Sequence, residues 1–295
     1  MVTEIKSTGE LKMKKILTAV LVAMVVVASV VCLVACGGNS NDKANVKVIN
    51  IKLTEEEYAF GVDKAQPELL QQINNILAEI KADGSFQKIM DKYFNGEEGD
   101  GIVSANYDAS KDQFVVATNA QFPPFEYMDG DKFYGVDMEI AKIIADKLGQ
   151  ELVINDMDFD AVCTSVGKNG VDVAMAGLTV NETRKQSVAF TDSYYNASQV
   201  LVVKADNTAF DDCKTAADVE AVLNAGNYVI GCQGGTTGEY YIKGDEEWDF
   251  VGITGATCKP YSNAGLAVKD MQNGQIDLVI VDEAPANAIA KTING

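Results

Sequence analysis

An apolar run at 171–176 gives way to Gly177-Leu178-Thr179-Val180 and then to Asn181-Glu182-Thr183-Arg184. The run reads as a buried strand, and Asn181 reads as the N-cap of a following helix. Such a unit sets a backbone carbonyl, a hydroxyl and a guanidinium at the carboxyl end of a parallel strand, where open α/β sheets bind their ligands. A guanidinium grips a carboxylate through two parallel hydrogen bonds, a geometry that lysine cannot copy. The stretch therefore reads as half of a clamp for an α-amino acid. The competing reading is a surface arginine on a first helical turn.

Composition narrows the choices. A chain of 295 residues allows one large domain or two small ones, and 47% apolar residues are ample for a packed core. A formal net charge of −19 argues against a nucleic-acid partner, since phosphate binding needs clusters of lysine and arginine. The chain contains no histidine, which removes Ser-His-Asp and Cys-His catalysis and every histidine-based metal site. No metal or cofactor is expected.

The first 45 residues read as an export and anchoring segment. Lys12, Lys14 and Lys15 precede an apolar run at 16–35, which ends Leu33-Val34-Ala35-Cys36-Gly37 before the chain turns polar. This resembles a bacterial lipoprotein signal, which implies a signal peptide over 1–35, cleavage, and lipid on Cys36. The rival is a retained membrane helix. Residues 36–45 then form a small, polar tether. Either Met1 or Met13 serves as the start. Of the remaining cysteines, Cys163, Cys213, Cys232 and Cys258, none forms a CxxC pair, and buried free thiols are the expectation. Cys232 and Cys258 both end strand-like runs and are candidate neighbours in one sheet.

From Val46 the chain alternates apolar and polar residues to Leu53, as a strand does. Pro67 opens a helix with Leu69, Leu70, Ile73, Ile76, Leu77 and Ile80 on one face, and Gly84 closes it. A shorter helix follows, and 95–112 reads as a linker. The segment 67–94, PELLQQINNILAEIKADGSFQKIMDKYF, looks like the last two helices of the extracytoplasmic amino-acid-binding proteins of ABC importers (family 3 solute-binding proteins). In that family the segment closes the chain, whereas here it stands near the front. The order resembles a circular permutation, which exposed loops tolerate. Residues 114–282 match the same family in its usual order.

The resemblance implies a two-lobed periplasmic-binding-protein type II α/β fold, circularly permuted. The chain would cross between lobes at 54–58 and 194–197. Lobe 1 would be 55–196, and lobe 2 would be 46–54 with 197–295. Strand and helix alternation over 114–204 argues for a parallel sheet. The Pro-Pro loop after strand 114–118 carries Asn119, Phe122, Phe125 and Glu126. The loop after strand 151–155 carries Phe159 and Asp160. By resemblance, Phe122 and Phe159 flank the ligand side chain, while Phe125 stays in the core. Asn119 stands where relatives for basic or amide ligands often place an aspartate. An amide cannot neutralise a cationic side chain, although Glu126 and Asp160 lie nearby.

Strand 228–232 leads to Gln233-Gly234-Gly235-Thr236-Thr237-Gly238 and a helix from about Thr237, a start suited to an anion. The lysine of a phosphate-binding Walker loop is missing, so a carboxylate is the better guest. Residues 274–282 echo 170–177, as two lobes built alike would. By resemblance, Arg184 and Thr237 hold the ligand carboxylate, while Asp282, the Gly177 carbonyl and the Thr179 hydroxyl hold its ammonium. Ala176, Gln233 and Thr236 complete the expected lining. Asp282 alternatively caps the helix that carries Pro285. The implied protein is a lipid-anchored, extracytoplasmic, monomeric receptor, not an enzyme. It captures a free polar amino acid and delivers it to an importer permease. The alternative is a dehydratase or lyase on the same fold, with Glu126, Asp160 or Asp282 as its acid.

Overall fold

The computed structural model describes residues 45–97 and 99–295. The expected signal peptide, Cys36 and nearly all of the tether lie outside the described residues. Among the described residues, no helix is long and apolar enough to cross a membrane.

The chain builds two lobes, each around its own five-stranded sheet. In the first, the strand order is 189–190, 61–62, 173–174, 113–118, 151–156. Strand Gln113–Thr118, interior to the sheet, is buried along its whole length and runs parallel to both Glu151–Asp156 and Val173–Ala174. A strand with two covered faces must be apolar on both, which is why Phe114-Val115-Val116-Ala117 does not alternate. In the second lobe the order is 46–49, 199–204, 278–282, 229–233, 257–261. Strands 278–282, 229–233 and 257–261 are mutually parallel, but 199–204 runs antiparallel to both of its neighbours. Of the parallel sheet expected over 114–204, strands 113–118, 151–156 and 173–174 are parallel, but 199–204 and the small sheet of 121–122, 126–129 and 132–134 are antiparallel. Strand Gln199–Lys204 enters its sheet directly from the other lobe, with no helical crossover to reverse its direction.

Between the lobes, Tyr195–Ala197 pairs antiparallel with Glu56–Tyr58. The two crossings are thus hydrogen-bonded to each other. The strand expected over 46–53 ends at Ile49, after which Leu53 N–H donates to the Gln199 carbonyl. Helices Pro67–Ala82 and Ser85–Asn95 pack on the first lobe, with Ile73, Leu77 and Ile80 fully buried. Gly84, left-handed at φ 81°, sits between them as the N-cap of the second. The stretch read as a linker is partly stitched down. Ile102 pairs with Phe133, and Ala105 N–H donates to the Leu152 carbonyl.

Cys163, Cys213, Cys232 and Cys258 are free thiols. Cys232 and Cys258 lie on adjacent parallel strands with sulfurs 3.5 Å apart. Cys213 and Cys258 are only partly buried, which corrects the expectation for those two.

Candidate functional site

The carboxyl ends of strands 113–118, 151–156, 173–174, 229–233 and 278–282, with the turns that follow them, contribute to one pocket. It is lined by Asn119, Phe122, Glu126, Phe159, Ala176, Gly177, Thr179 and Arg184 from the first lobe. Gln233, Thr236, Thr237 and Asp282 line it from the second. The pocket's free volume is about 10 Å³, room for about one water, so a ligand needs the two walls to part. All eleven lining residues expected from the sequence are brought together, and Glu126 joins them.

The first wall is built locally. Asn181 caps helix Glu182–Ser187 by accepting from the Arg184 N–H at 2.6 Å, and this fixes the turn that carries the guanidinium. The guanidinium donates to the Thr179 carbonyl (2.8 Å) and, across the gap, to the Gly235 carbonyl (3.2 Å), and it lies 5.2 Å over the Phe159 ring. Three of its five N–H groups remain for a carboxylate. Gly177 is left-handed at φ +53°, and a Cβ there would stand 3.0 Å from Phe122, so the close approach of backbone and ring requires glycine. Its N–H donates to the fully buried Asp137, which also accepts from Tyr194 Oη at 2.6 Å. Burial pushes Asp137 up to about 7 despite those two bonds.

Glu126 is the residue missing from the expected lining. It sits at the start of strand Glu126–Asp129, 1% exposed, and neither carboxylate oxygen has a hydrogen-bond partner among the described residues. Burial, then the charges of Asp137 and Asp282, hold its carboxyl well above the usual range. A buried, unpartnered carboxyl costs several kcal/mol unless something else satisfies it (on the order of 2–7 kcal/mol for a lone polar group). The sequence places it directly after the Pro-Pro loop but does not say whether it faces the core or the surface. Asp160, the other acid considered, is exposed and does not line the pocket. Phe125 is fully buried.

Asn119 is held at both ends of its amide. Its Nδ2 donates to the Met157 carbonyl (2.7 Å), and its Oδ1 accepts from Gln233 Nε2 (3.0 Å), leaving Gln233 Oε1 unpartnered. An aspartate there would set a carboxylate against the Met157 carbonyl. Of the two positions, only 126 brings a carboxyl to the pocket lining.

Asp282 ends strand Leu278–Asp282 and begins helix Glu283–Asn294, but its side chain does not cap that helix. It accepts from Tyr58 Oη at 2.5 Å instead. Burial, then the charge of Glu56, pushes Asp282 up to about 7. At the lip of the pocket, Thr183 Oγ1 donates to Glu247 across the gap, and Tyr240, Trp248 and Phe250 stack in a row beside that contact.

The sequence model of the bacterial extracellular solute-binding proteins, family 3, matches residues 6–96 and 114–284, and the chain belongs to that family. Among named relatives, the arginine-binding extracellular protein ArtP of Bacillus subtilis (strain 168) is 36% identical over 107 residues. That match spans 36% of this chain and 42% of the relative, less than half of its length. Among solved structures, holo ArgBP from T. maritima superposes with a TM-score of 0.51 at 34% identity, over 61% of this chain and 73% of that one. An ancestral amino-acid-binding protein, described as a precursor of cyclohexadienyl dehydratase, superposes with a TM-score of 0.52 at 28% identity, over 61% and 74%.

Proposed function

We propose that this chain is the receptor of an ABC importer, that it captures an α-amino acid with a cationic side chain, and that lipid on Cys36 holds it at the outer face of the membrane. The observation that carries the ligand class is the pocket's charge. Against one guanidinium, Arg184, stand Glu126 and Asp282 in the lining. A basic amino acid brings one negative and two positive charges, the complement of that set. Arg184 takes the α-carboxylate, Asp282 the α-ammonium, and Glu126 the side-chain cation, with Phe122 and Phe159 along its stem. The unpartnered Gln233 Oε1 adds an acceptor, which suits a guanidinium with its five N–H donors. Relatives named for arginine agree with this class. The lobes would part at the hinge to admit the ligand and shut over it.

The test is a thermal-shift screen of the twenty amino acids, followed by calorimetry. Arginine or lysine should give the largest shift. Glutamine in first place would overturn the cationic reading. The raised carboxyl of Glu126 is also what a general acid looks like, so the same incubations should be assayed for turnover; release of water or ammonia would favour the dehydratase or lyase reading.

A pH dependence follows. Asp137 and Asp282 are held near 7 in the empty protein and Glu126 is raised as well. Folded, these groups keep protons that the unfolded chain has lost, so the empty protein loses stability as pH rises from about 4 to about 7. A bound cation favours the ionised carboxylates, so capture releases protons and affinity climbs over the same interval. We expect the empty protein's Tm to fall from pH 5 to 8 while affinity rises, and calorimetry in two buffers of different ionisation heat to register proton release. A flat affinity profile would contradict this.

The lobes would be 55–196 and 46–54 with 197–295, in an order circularly permuted from the family's. Support comes from strand Val46–Ile49, which lies in the sheet of 229–233. Asn294 exchanges hydrogen bonds with Val46 N–H (3.1 Å) and its carbonyl (2.9 Å). The share of this chain covered by the superpositions is close to the share that follows the 95–112 segment. A gene encoding 114–295 followed directly by 45–97 should fold and bind with unchanged affinity; an unfolded product would count against the permutation.

A further inference from the structure

Glu56 lies in neither the expected site nor the pocket lining, yet its carboxylate is tied to both walls. It stands on the crossing strand Glu56–Tyr58, 7% exposed. Oε1 accepts from Thr54 Oγ1 (2.7 Å) and Gln199 Nε2 (3.0 Å). Oε2 accepts from Thr179 Oγ1 (2.7 Å) of the first lobe and Thr237 Oγ1 (2.6 Å) of the second. The two threonine oxygens are 3.3 Å apart, and both line the pocket.

A hydroxyl has one hydrogen and two lone pairs. With both hydrogens directed to Glu56, Thr179 and Thr237 can show only lone pairs to a ligand. We infer that Glu56 is a positioning residue that sets the polarity of this end of the pocket: it turns two ambivalent hydroxyls into obligate acceptors and thereby selects a ligand with an α-ammonium group. The inference rests on the receptor reading above. It also amends the expected role of Thr237, whose hydroxyl cannot donate to a carboxylate while Glu56 holds its hydrogen. Arg184 is then the side-chain donor for that carboxylate. Asp282, next to the same end, adds a full negative charge to the two oriented oxygens.

The test uses two ligands, arginine and 5-guanidinopentanoate, which is arginine without its α-amino group. The Glu56→Gln side chain keeps the shape, but its amide donates and so frees a hydroxyl hydrogen to point into the pocket. Calorimetry should show arginine weakened about tenfold or more while the analogue changes less than about threefold, because one charge-assisted acceptor is lost for the ammonium alone. Equal weakening of both ligands, the signature of a merely structural role, would overturn the inference, as would unchanged discrimination. If circular dichroism shows Glu56→Gln unfolded, Thr237→Val should give the same selective loss, and non-selective loss there would overturn it instead. A wild-type protein that binds none of the twenty amino acids would instead sink the receptor reading, and this inference with it.

Discussion

Replacing Arg184 by alanine should abolish binding of every α-amino acid, whatever its side chain. Among the described residues the guanidinium is the only cation in the pocket lining, and two of its N–H groups already anchor it to the Thr179 and Gly235 carbonyls. A ligand carboxylate buried without it would be an uncompensated charge, which costs about 3–5 kcal/mol, roughly a hundredfold to several thousandfold in affinity. The same change removes a bond between the two lobes, so closure weakens together with recognition. Arg184→Lys should rescue little, because an ammonium cannot form the paired bonds. Calorimetry with arginine and with glutamine is the check: a variant that retains micromolar affinity for either would end the carboxylate assignment.

Glu126→Gln should change which ligands bind more than whether they bind. With its carboxyl neutralised for good, the pocket loses the counter-charge for a cationic side chain. Arginine and lysine affinity should fall about a hundredfold or more, the usual cost of stranding one member of a buried charge pair. Neutral amino acids with amide side chains should lose little and so gain in relative preference. The pH dependence of affinity should flatten at the same time, since a carboxyl raised by burial has been removed from the pocket. If the variant's ligand profile matches that of the wild type, the side-chain cation is held elsewhere and Glu126 is a proton-bearing core residue.

Much of this site can be read in the sequence, because its parts sit at strand ends, and strand ends are marked. The apolar run into Ala176, the Asn181 cap, the glycines after Cys232 and the acid that closes 278–282 are all local signals. The fold of each lobe follows from runs such as Phe114-Val115-Val116-Ala117 and from amphipathic spacing such as Ile73, Ile76, Leu77 and Ile80. Direction within a sheet is another matter. Strand 199–204 runs antiparallel to its neighbours because of where the chain crosses between lobes, and no residue in it encodes that. The acids that set the pocket's polarity were also hidden. Glu126 could have been core or surface in a short hairpin strand. Glu56 is the middle of a run of three glutamates, and only the pairing of Glu56–Tyr58 with Tyr195–Ala197 decides that it faces inward while Glu55 and Glu57 stay exposed. Asp137 looks like an ordinary acid in a first helical turn until Gly177 and Tyr194 close over it.

The row of Tyr240, Trp248 and Phe250 has a practical consequence. Trp248 is the sole tryptophan of the chain, and its neighbour Glu247 reaches across to Thr183 on the opposite lobe. Any parting of the two halves breaks that handshake next to the indole and alters its surroundings, so the molecule's own ultraviolet emission reads out the opening and shutting of the gap without an added dye.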